Sequence, residues 1–416
     1  MNAPNLRFKD ENGKDYPEWK SQKLRDFSEI KTGPFGSLLH AGDYISDGHP
    51  IITTEHFKNG YLPDIKFNIP QVSDKSYNEL NPYILNENDI VFSRVGSVDI
   101  NALVTKNQAG WLFSGRVLRV RTKGHNQNFV HYALTTKHVR KNILSRAVGQ
   151  TMPSINTEIL SDTVINLPSN IDEEKKISDF FFELDRLIQI TTKKLKSLEQ
   201  IKKGFLQKIF SQQIRFKDEN SKNYPDWKEI RLGDFTQRVT EKNINLESDL
   251  PLTISAKYGL VDQRKFFSKQ IASKNLSGYY IINNGDFAYN KSTSVEAPYG
   301  AVRRLDLYKK GVVSTLYICF KLTNKDIYSD YLVQYFKSSK WEKSIKGIAS
   351  EGARNHGMLN ISTNDFFNTI HIIPSYKEQV KIARFLNSFD LYIQGLTKRL
   401  QSIESIKISL LQQMFI

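Results

Sequence analysis

The sequence predicts an α+β protein with two globular domains in pseudo-twofold tandem repeat, joined and separated by two long antiparallel coiled-coil helices. Three observations carry this expectation. Leu6 to Phe27 (LRFKDENGKDYPEWKSQKLRDF) returns 208 residues later as Ile214 to Phe235 (IRFKDENSKNYPDWKEIRLGDF), identical at 14 of 22 positions. Ile177, Phe181, Leu184, Ile188, Thr191, Leu195, Leu198, Lys202, Phe205 and Ile209 recur in steps of four and three, the spacing of a coiled-coil seam. The seam comes back 205 residues on as Ile382, Leu386, Phe389, Ile393, Leu396, Leu400, Ile403, Lys407, Leu410 and Met414, with a lysine at the same place.

Taken in order, residues 1–168 form a first globular domain, 169–213 a central helix, 214–374 a second globular domain and 375–416 a C-terminal helix. In the first domain, Asp89 to Arg94 and Arg116 to Arg121 carry strand patterns, the latter placing Leu118 and Val120 on one face and Arg119 and Arg121 on the other. Their counterparts are Asp286 to Lys291 and Val312 to Leu322. A helix follows in each, Asn128 to Ile143 and Asp326 to Ile345, with Tyr132 and Tyr331 in similar places. Polar, glycine-bearing loops come next, Ala147 to Ser154 and Ile348 to Asn360. Leu167-Pro168-Ser169 and Ile373-Pro374-Ser375 then lead into the long helices, and acidic residues in the first turn (Asp172, Glu173, Glu174; Glu378) suit a helix N-terminus. At about 1.5 Å per residue the first helix is a rod of roughly 57 Å. Between Ile30 and Asp89, and between Arg238 and Asp286, almost nothing aligns, so the two domains are built to recognise different things.

A chain of 416 residues suits two or three domains, and 39% hydrophobic with 25% charged residues describes a soluble folded protein. No signal peptide or membrane span is apparent, so the cytoplasm is the expected compartment. Cys319 is the single cysteine, which excludes an intrachain disulfide and a thiolate metal cluster and reads as a packing residue. With 59 basic against 44 acidic residues the net charge is +15, which suits a polyanionic partner.

Catalytic motifs are missing. There is no G-x-x-x-x-G-K-[ST] phosphate loop, no G-x-S-x-G elbow and no H-E-x-x-H metal site. An adenine methyltransferase would carry an Asn/Asp-Pro-Pro-aromatic motif, but Asn81-Pro82-Tyr83 has one proline. Gly33-Pro34-Phe35-Gly36-Ser37 does not match a methyl-donor loop. His131 and His138 lie seven apart with no third ligand, so no metal site is expected. The chain reads as a binder.

These residues resemble a known family, the DNA-specificity subunits of Type I restriction-modification systems. The resemblance spans the whole chain. It rests on the tandem layout, on Leu24-Arg25-Asp26-Phe27 and Leu232-Gly233-Asp234-Phe235, on Asn88 to Gly96 and on Ile373 to Ala383. The second domain has Asn284 to Lys291 in place of the closer string ending Ser93-Arg94-Val95-Gly96. The lead-in to the first helix lacks the glutamine found at Gln379 and reads as one residue longer. The resemblance implies two target-recognition domains reading a bipartite, asymmetric double-stranded DNA target. It implies helices that act as a ruler and dock two modification (adenine methyltransferase) subunits, with restriction (translocase and endonuclease) subunits completing the complex. S-adenosylmethionine, ATP and Mg are then expected on those partners and no cofactor in this chain.

Reading bases takes Arg, Lys, Asn or Gln side chains on base edges. The candidates are Lys31, Thr32, Ser37, Lys58, Arg94, Lys106, Arg116, Gln150 and Thr151 in the first domain. In the second they are Lys257, Tyr258, Arg264, Lys265, Asn290, Lys291, Arg303, Arg304 and the cluster Arg354-Asn355-His356. Lys202 and Lys407 interrupt the seams at equivalent positions and are expected to fix helix register. The rival readings are a self-contained DNA methyltransferase or nuclease, and a coiled-coil adaptor with no DNA role.

Overall fold

The computed structural model describes residues 3–34, 38–39, 41–255, 258–267, 273, 275–351 and 357–416. It divides into two compact units, residues 1–192 with 398–416, and residues 193–397. Each long helix therefore begins in one unit and ends in the other.

Both units are built on the same four-stranded antiparallel sheet. In the first, the spatial order is Ser28–Thr32, Val117–Thr122, Ile90–Ser93 and Asn101–Leu103. In the second, Thr236–Val239, Ile318–Leu322, Phe287–Asn290 and Ala301–Arg304 take the same places in the same order. A two-stranded pair closes each unit, Lys20–Lys23 with Val164–Leu167 and Lys228–Arg231 with Ile370–Ile373. The sheets are covered on both faces, which is why Ile90–Ser93 and Phe287–Asn290 open on unbroken apolar runs. Ile90, Phe92, Leu118 and Val120 enter one core and Val91 and Val117 the other. In the second unit Phe287, Tyr289, Ile318 and Phe320 pack on one side, while Ala288 and Cys319 pack on the other. Cys319 is a buried packing residue, as its strand position suggests.

The strands added to that sheet differ in topology as well as sequence. The first unit adds a four-stranded sheet of Tyr44–Ile45, Gln71–Val72, His49–Ile52 and Leu112–Phe113, with one parallel pairing. The second has two separate hairpin pairs, Leu252–Ser255 with Gly259–Asp262 and Tyr280–Asn283 with Lys310–Val313.

Several elements are shorter than the periodicity predicts. The first helix splits into Gln127–Thr135 and Lys137–Arg146, because Thr136 adopts an extended ψ of 148°. Its counterpart splits into Ser329–Tyr335 and Glu342–Lys346. The run Val312 to Leu322 is two strands, Lys310–Val313 and Ile318–Leu322, with Leu316 exposed between them. Arg119 is buried against Glu29, and Arg121 is part-buried and pairs with Asp89 at 2.7 Å.

The long helices are Ile171–Phe210 and Tyr376–Met414. No seam position is exposed. Within the first unit Phe181 lies against Phe415 and Asp185 against Lys407. Within the second, Lys202 meets Asp390 and Phe205 meets Phe385. Contacts that advance along one helix while receding along the other define antiparallel packing in each unit. A second buried row, Glu174, Ser178 and Asp185, runs beside the first seam, and Glu174 and Asp185 in it bond to the globular domain.

Candidate nucleic-acid interface

The site rests on two frames that repeat in both units. The first starts each long helix. Glu173 is fully buried, and its carboxylate accepts from the Arg7 guanidinium at 2.7 and 2.8 Å and from Trp19 Nε1 at 3.2 Å. Arg7 also donates to the carbonyls of Tyr16 and Pro17. The second unit repeats this with Arg215, Trp227 and Glu378, and with the carbonyls of Tyr224 and Pro225. The hydrogen bonds to Glu173 and Glu378 hold both guanidiniums above the ordinary arginine range. The duplicated RFKDEN…YP…W string is thus an ion-pair clamp on a helix start. The macrodipole alone does not account for Glu173. Glu174 then takes the place of Gln379. Glu174 accepts from the Asn126 backbone N–H and faces His125 Nδ1, while Gln379 accepts from the Tyr328 N–H. The glutamine missing from the first lead-in is replaced by a carboxylate doing the same job.

The second frame joins the helices to the globular domains. Asp185 accepts from Lys407 at 2.5 Å, from the Tyr61 hydroxyl at 2.6 Å and from the Tyr132 hydroxyl at 2.9 Å. Asp390 accepts from Lys202 at 2.5 Å, from Gln334 Nε2 at 2.7 Å and from Lys337 at 3.0 Å. Each seam lysine therefore meets the aspartate of the other long helix. Tyr132 corresponds to Gln334, not to Tyr331, since both donate to the equivalent aspartate from the equivalent helix. Burial pushes the Lys202 ammonium down to about 8, with Lys337 adding repulsion. Burial opposes ionisation of Asp390, but Lys337 and Lys202 hold the carboxyl below its usual range. Burial raises the Tyr61 and Tyr132 hydroxyls, so they act as donors, and lowers His131 beside them to about 4, so it is neutral. Asp185 and Asp390 escaped sequence reasoning although a signal was there. They stand 205 apart, the displacement of the two lysines, at polar positions beside an apolar seam.

One end of each central sheet collects candidate readers. In the first unit Thr32 ends the first strand, the Gly33 N–H donates to Val117 O, and the Arg94 N–H donates to Arg116 O. Gly96 N–H donates to Pro153 O, and Val148 and Ser154 exchange backbone bonds that fold 148–154 into a tight turn. The structure thus brings Thr32, Arg94, Arg116, Gln150 and Thr151 together, with Arg116, Gln150 and Thr151 exposed. Lys31, one residue back, lays its ammonium 4.8 Å from the Tyr83 ring centre. Lys106 is exposed in the turn at the opposite end of the sheet, and Lys58 pairs with Glu55 beside the edge strand.

In the second unit Asn290 and Lys291 leave the central strand at the corresponding end. The Thr293 N–H donates to Gly357 O, and the Leu359 N–H donates to Lys291 O. Arg303 and Arg304 lie toward the other end of that strand's neighbour. Arg304 is held by Asp306, Asp330 and Ser329, and burial lowers the Arg303 guanidinium. Arg264 pairs with Asp262, Lys265 is exposed on the same short helix, and Tyr258 is exposed at a hairpin turn. Ser37, Lys257, Arg354, Asn355 and His356 lie outside the described residues. Among the described residues no three His, Cys, Asp or Glu side chains are grouped to hold a metal ion. No described helix is long and apolar enough to cross a membrane.

The fold defines a class: duplicated α+β units on one frame, each carrying its own insert and each completed by the far end of its sister's helix. The family described as the Type I restriction modification DNA specificity domain matches residues 16–200 and again 224–405, and the chain belongs to that family. It is similar to the Type I restriction enzyme MjaVIII specificity subunit of Methanocaldococcus jannaschii, 23% identical over 96% of this chain and 93% of that protein. A putative Type I restriction enzyme MjaX specificity subunit of the same organism is 27% identical over 54% of this chain and 56% of its own length. Among solved structures, the Type I restriction-modification S subunit from M. genitalium aligns over 100% of this chain and 99% of its own, at 16% identity and a TM-score of 0.62. A chain from a structural study of Type I complex assembly and conformational transition aligns over 95% and 97%, at 13% identity and a TM-score of 0.51.

Proposed function

We propose that this chain is the non-catalytic DNA-reading subunit of a Type I restriction-modification complex. Each unit reads one half of a split, asymmetric double-stranded target. The two long helices serve as spacer and as the docking platform for two modification subunits, which carry S-adenosylmethionine and methylate adenine. Restriction subunits supply ATP- and Mg-dependent translocation and cleavage, and the complex works in the cytoplasm. The observation that carries the reading is one frame with two inserts: the sheet order, helix clamp and aspartate–lysine pair repeat, while the inserts differ in topology. Two different readers on identical mounts suit a bipartite target whose halves are unlike.

The experiment is expression with the neighbouring modification subunit in a host lacking adenine methylation, followed by genome-wide mapping of methylated adenine. A motif of two unlike halves around an unread spacer is expected. No methylation despite a folded, bound partner would overturn the reading in favour of an adaptor. Methyl transfer by the isolated chain would overturn it in favour of a self-contained enzyme.

A further inference from the structure

The two domains read with unlike loops, yet one cation sits at the same place in both. Arg94 follows the central strand Ile90–Ser93, and Lys291 follows its counterpart Phe287–Asn290. Arg94 Nε donates to Ile155 O at 3.2 Å, and Lys291 Nζ to Ile361 O at 3.4 Å. Both carbonyls belong to the residue just before the cap of a short helix. Asn156 caps Thr157–Ser161, and Ser362 caps Thr363–Phe367. The cation therefore ties the strand end to the far end of a loop that follows a helix: residues 148–155 after Lys137–Arg146 in the first unit, and the stretch ending at 361 in the second.

Arg94 does more than span one gap. Its Nη1 donates to Gly115 O at 3.1 Å, its backbone N–H donates to Arg116 O, and its carbonyl accepts from the Ile155 N–H. Four bonds from one residue tie the strand end, the turn bearing Arg116 and the loop bearing Gln150 and Thr151. In the second unit the Lys291 carbonyl likewise accepts from the Leu359 N–H. Both loops end in the same Met-x-x-Ile-x-Thr string, Met152 to Thr157 and Met358 to Thr363, so the bond belongs to the duplicated frame, and a side chain serving only as a base contact has no reason to be kept on that internal carbonyl in both domains. The bond is looser at Lys291 than at Arg94, where Nη1 and two backbone bonds reinforce it, and reading a base edge demands that the donor be placed within a fraction of an ångström.

We infer that Arg94 and Lys291 are positioning residues, each holding the reading loop of its own domain in register with the sheet, and each governing one half of the recognised sequence. This rests on the proposed reading of a bipartite target. It reassigns the two residues from base contact to loop placement, with the bond that arginine and lysine both make, to the carbonyl before the cap, as the shared tie and the Arg94 bond to Gly115 O as an addition in the first unit.

The test is the methylation map of the complex carrying Arg94→Met, Arg94→Lys, Lys291→Met or Lys291→Arg. Arg94→Met should reduce discrimination at least tenfold at bases of one half-site and leave the other half intact. Lys291→Met should do the reverse, and the two cation swaps should keep the parental motif. Should a methionine variant abolish methylation altogether, its cation swap decides: a restored parental motif supports the inference. Loss in the swap as well, equal degradation of both halves, or an unchanged motif in the methionine variants would overturn it. A base-contacting Arg94 would instead show a changed preferred base in Arg94→Lys. Absence of any split motif from the unaltered chain is a different result, which refutes the reading role and not the placement.

Discussion

The aspartate–lysine pair of the first unit yields the sharpest test. Lys407 and Asp185 have side chains 19% and 8% exposed, with Nζ and Oδ1 at 2.5 Å. Removing one partner of such a pair strands a buried charge, which costs about 3 to 5 kcal/mol. Lys407→Met should fall near the low end, about 3 kcal/mol, because Tyr61 and Tyr132 still donate to the carboxylate. Asp185→Asn leaves the ammonium without its counter-charge, facing the Tyr61 and Tyr132 rings at 6.0 and 5.5 Å, and should cost a similar amount. The double variant removes both charges, so its cost should fall short of the sum by at least about 1.5 kcal/mol. Hydrogen exchange on peptides covering Phe181–Ile188 and Ile403–Leu410 measures this as local opening, with about 3 kcal/mol appearing as roughly a hundredfold faster exchange. Single variants that add within about 0.5 kcal/mol would refute the coupling and, with it, any role for the lysines in register. The cycle at Asp390 and Lys202 should give the same sign.

Arg7→Ala leaves the Glu173 carboxylate buried with Trp19 Nε1 still donating to it. It should destabilise by about 3 kcal/mol or more in thermal unfolding, and adding Glu173→Gln should recover part of that. His371 is buried between the Tyr335 hydroxyl and Thr369 Oγ1, and burial lowers it to about 4. As pH falls the unfolded chain takes up the proton first, so this contribution is complete above about pH 6.5 and is lost between about 6.5 and 4. The urea midpoint of the parent, minus that of His371→Asn, should shrink by an amount equivalent to about 2 kcal/mol at about pH 5. A constant difference would remove the assignment. Gly149 has φ +98°, and a Cβ there would meet Met152 O at 2.7 Å. Gly149→Ala should cost about 1 to 3 kcal/mol and blur one half-site in the methylation map; an unchanged motif would show that this turn does not read. DNA affinity of the purified chain should fall steeply between about 50 and 200 mM salt, and a flat response would argue for the adaptor.

The sequence alone determined the duplication, the two seams and the strand runs at Ile90 and Phe287, because these are local periodicities imposed by helix and strand geometry. It also showed that the inserts share no alignable sequence, while their difference in topology came from the structure, since unlike strings can take one fold. It exposed the seam lysines and the duplicated clamp string, though not what either one touches. Tertiary structure alone decided the partners. Glu173 finds Arg7 across 166 residues and Asp185 finds Lys407 across 222, and no periodicity encodes a contact between side chains that distant. It decided that Arg304 and Arg264 are spent on carboxylates, while Arg116, Gln150 and Thr151 reach solvent. A charged side chain looks alike in a sequence whether it meets an aspartate or water. The difference is one of burial and geometry, which exists only once the chain has folded.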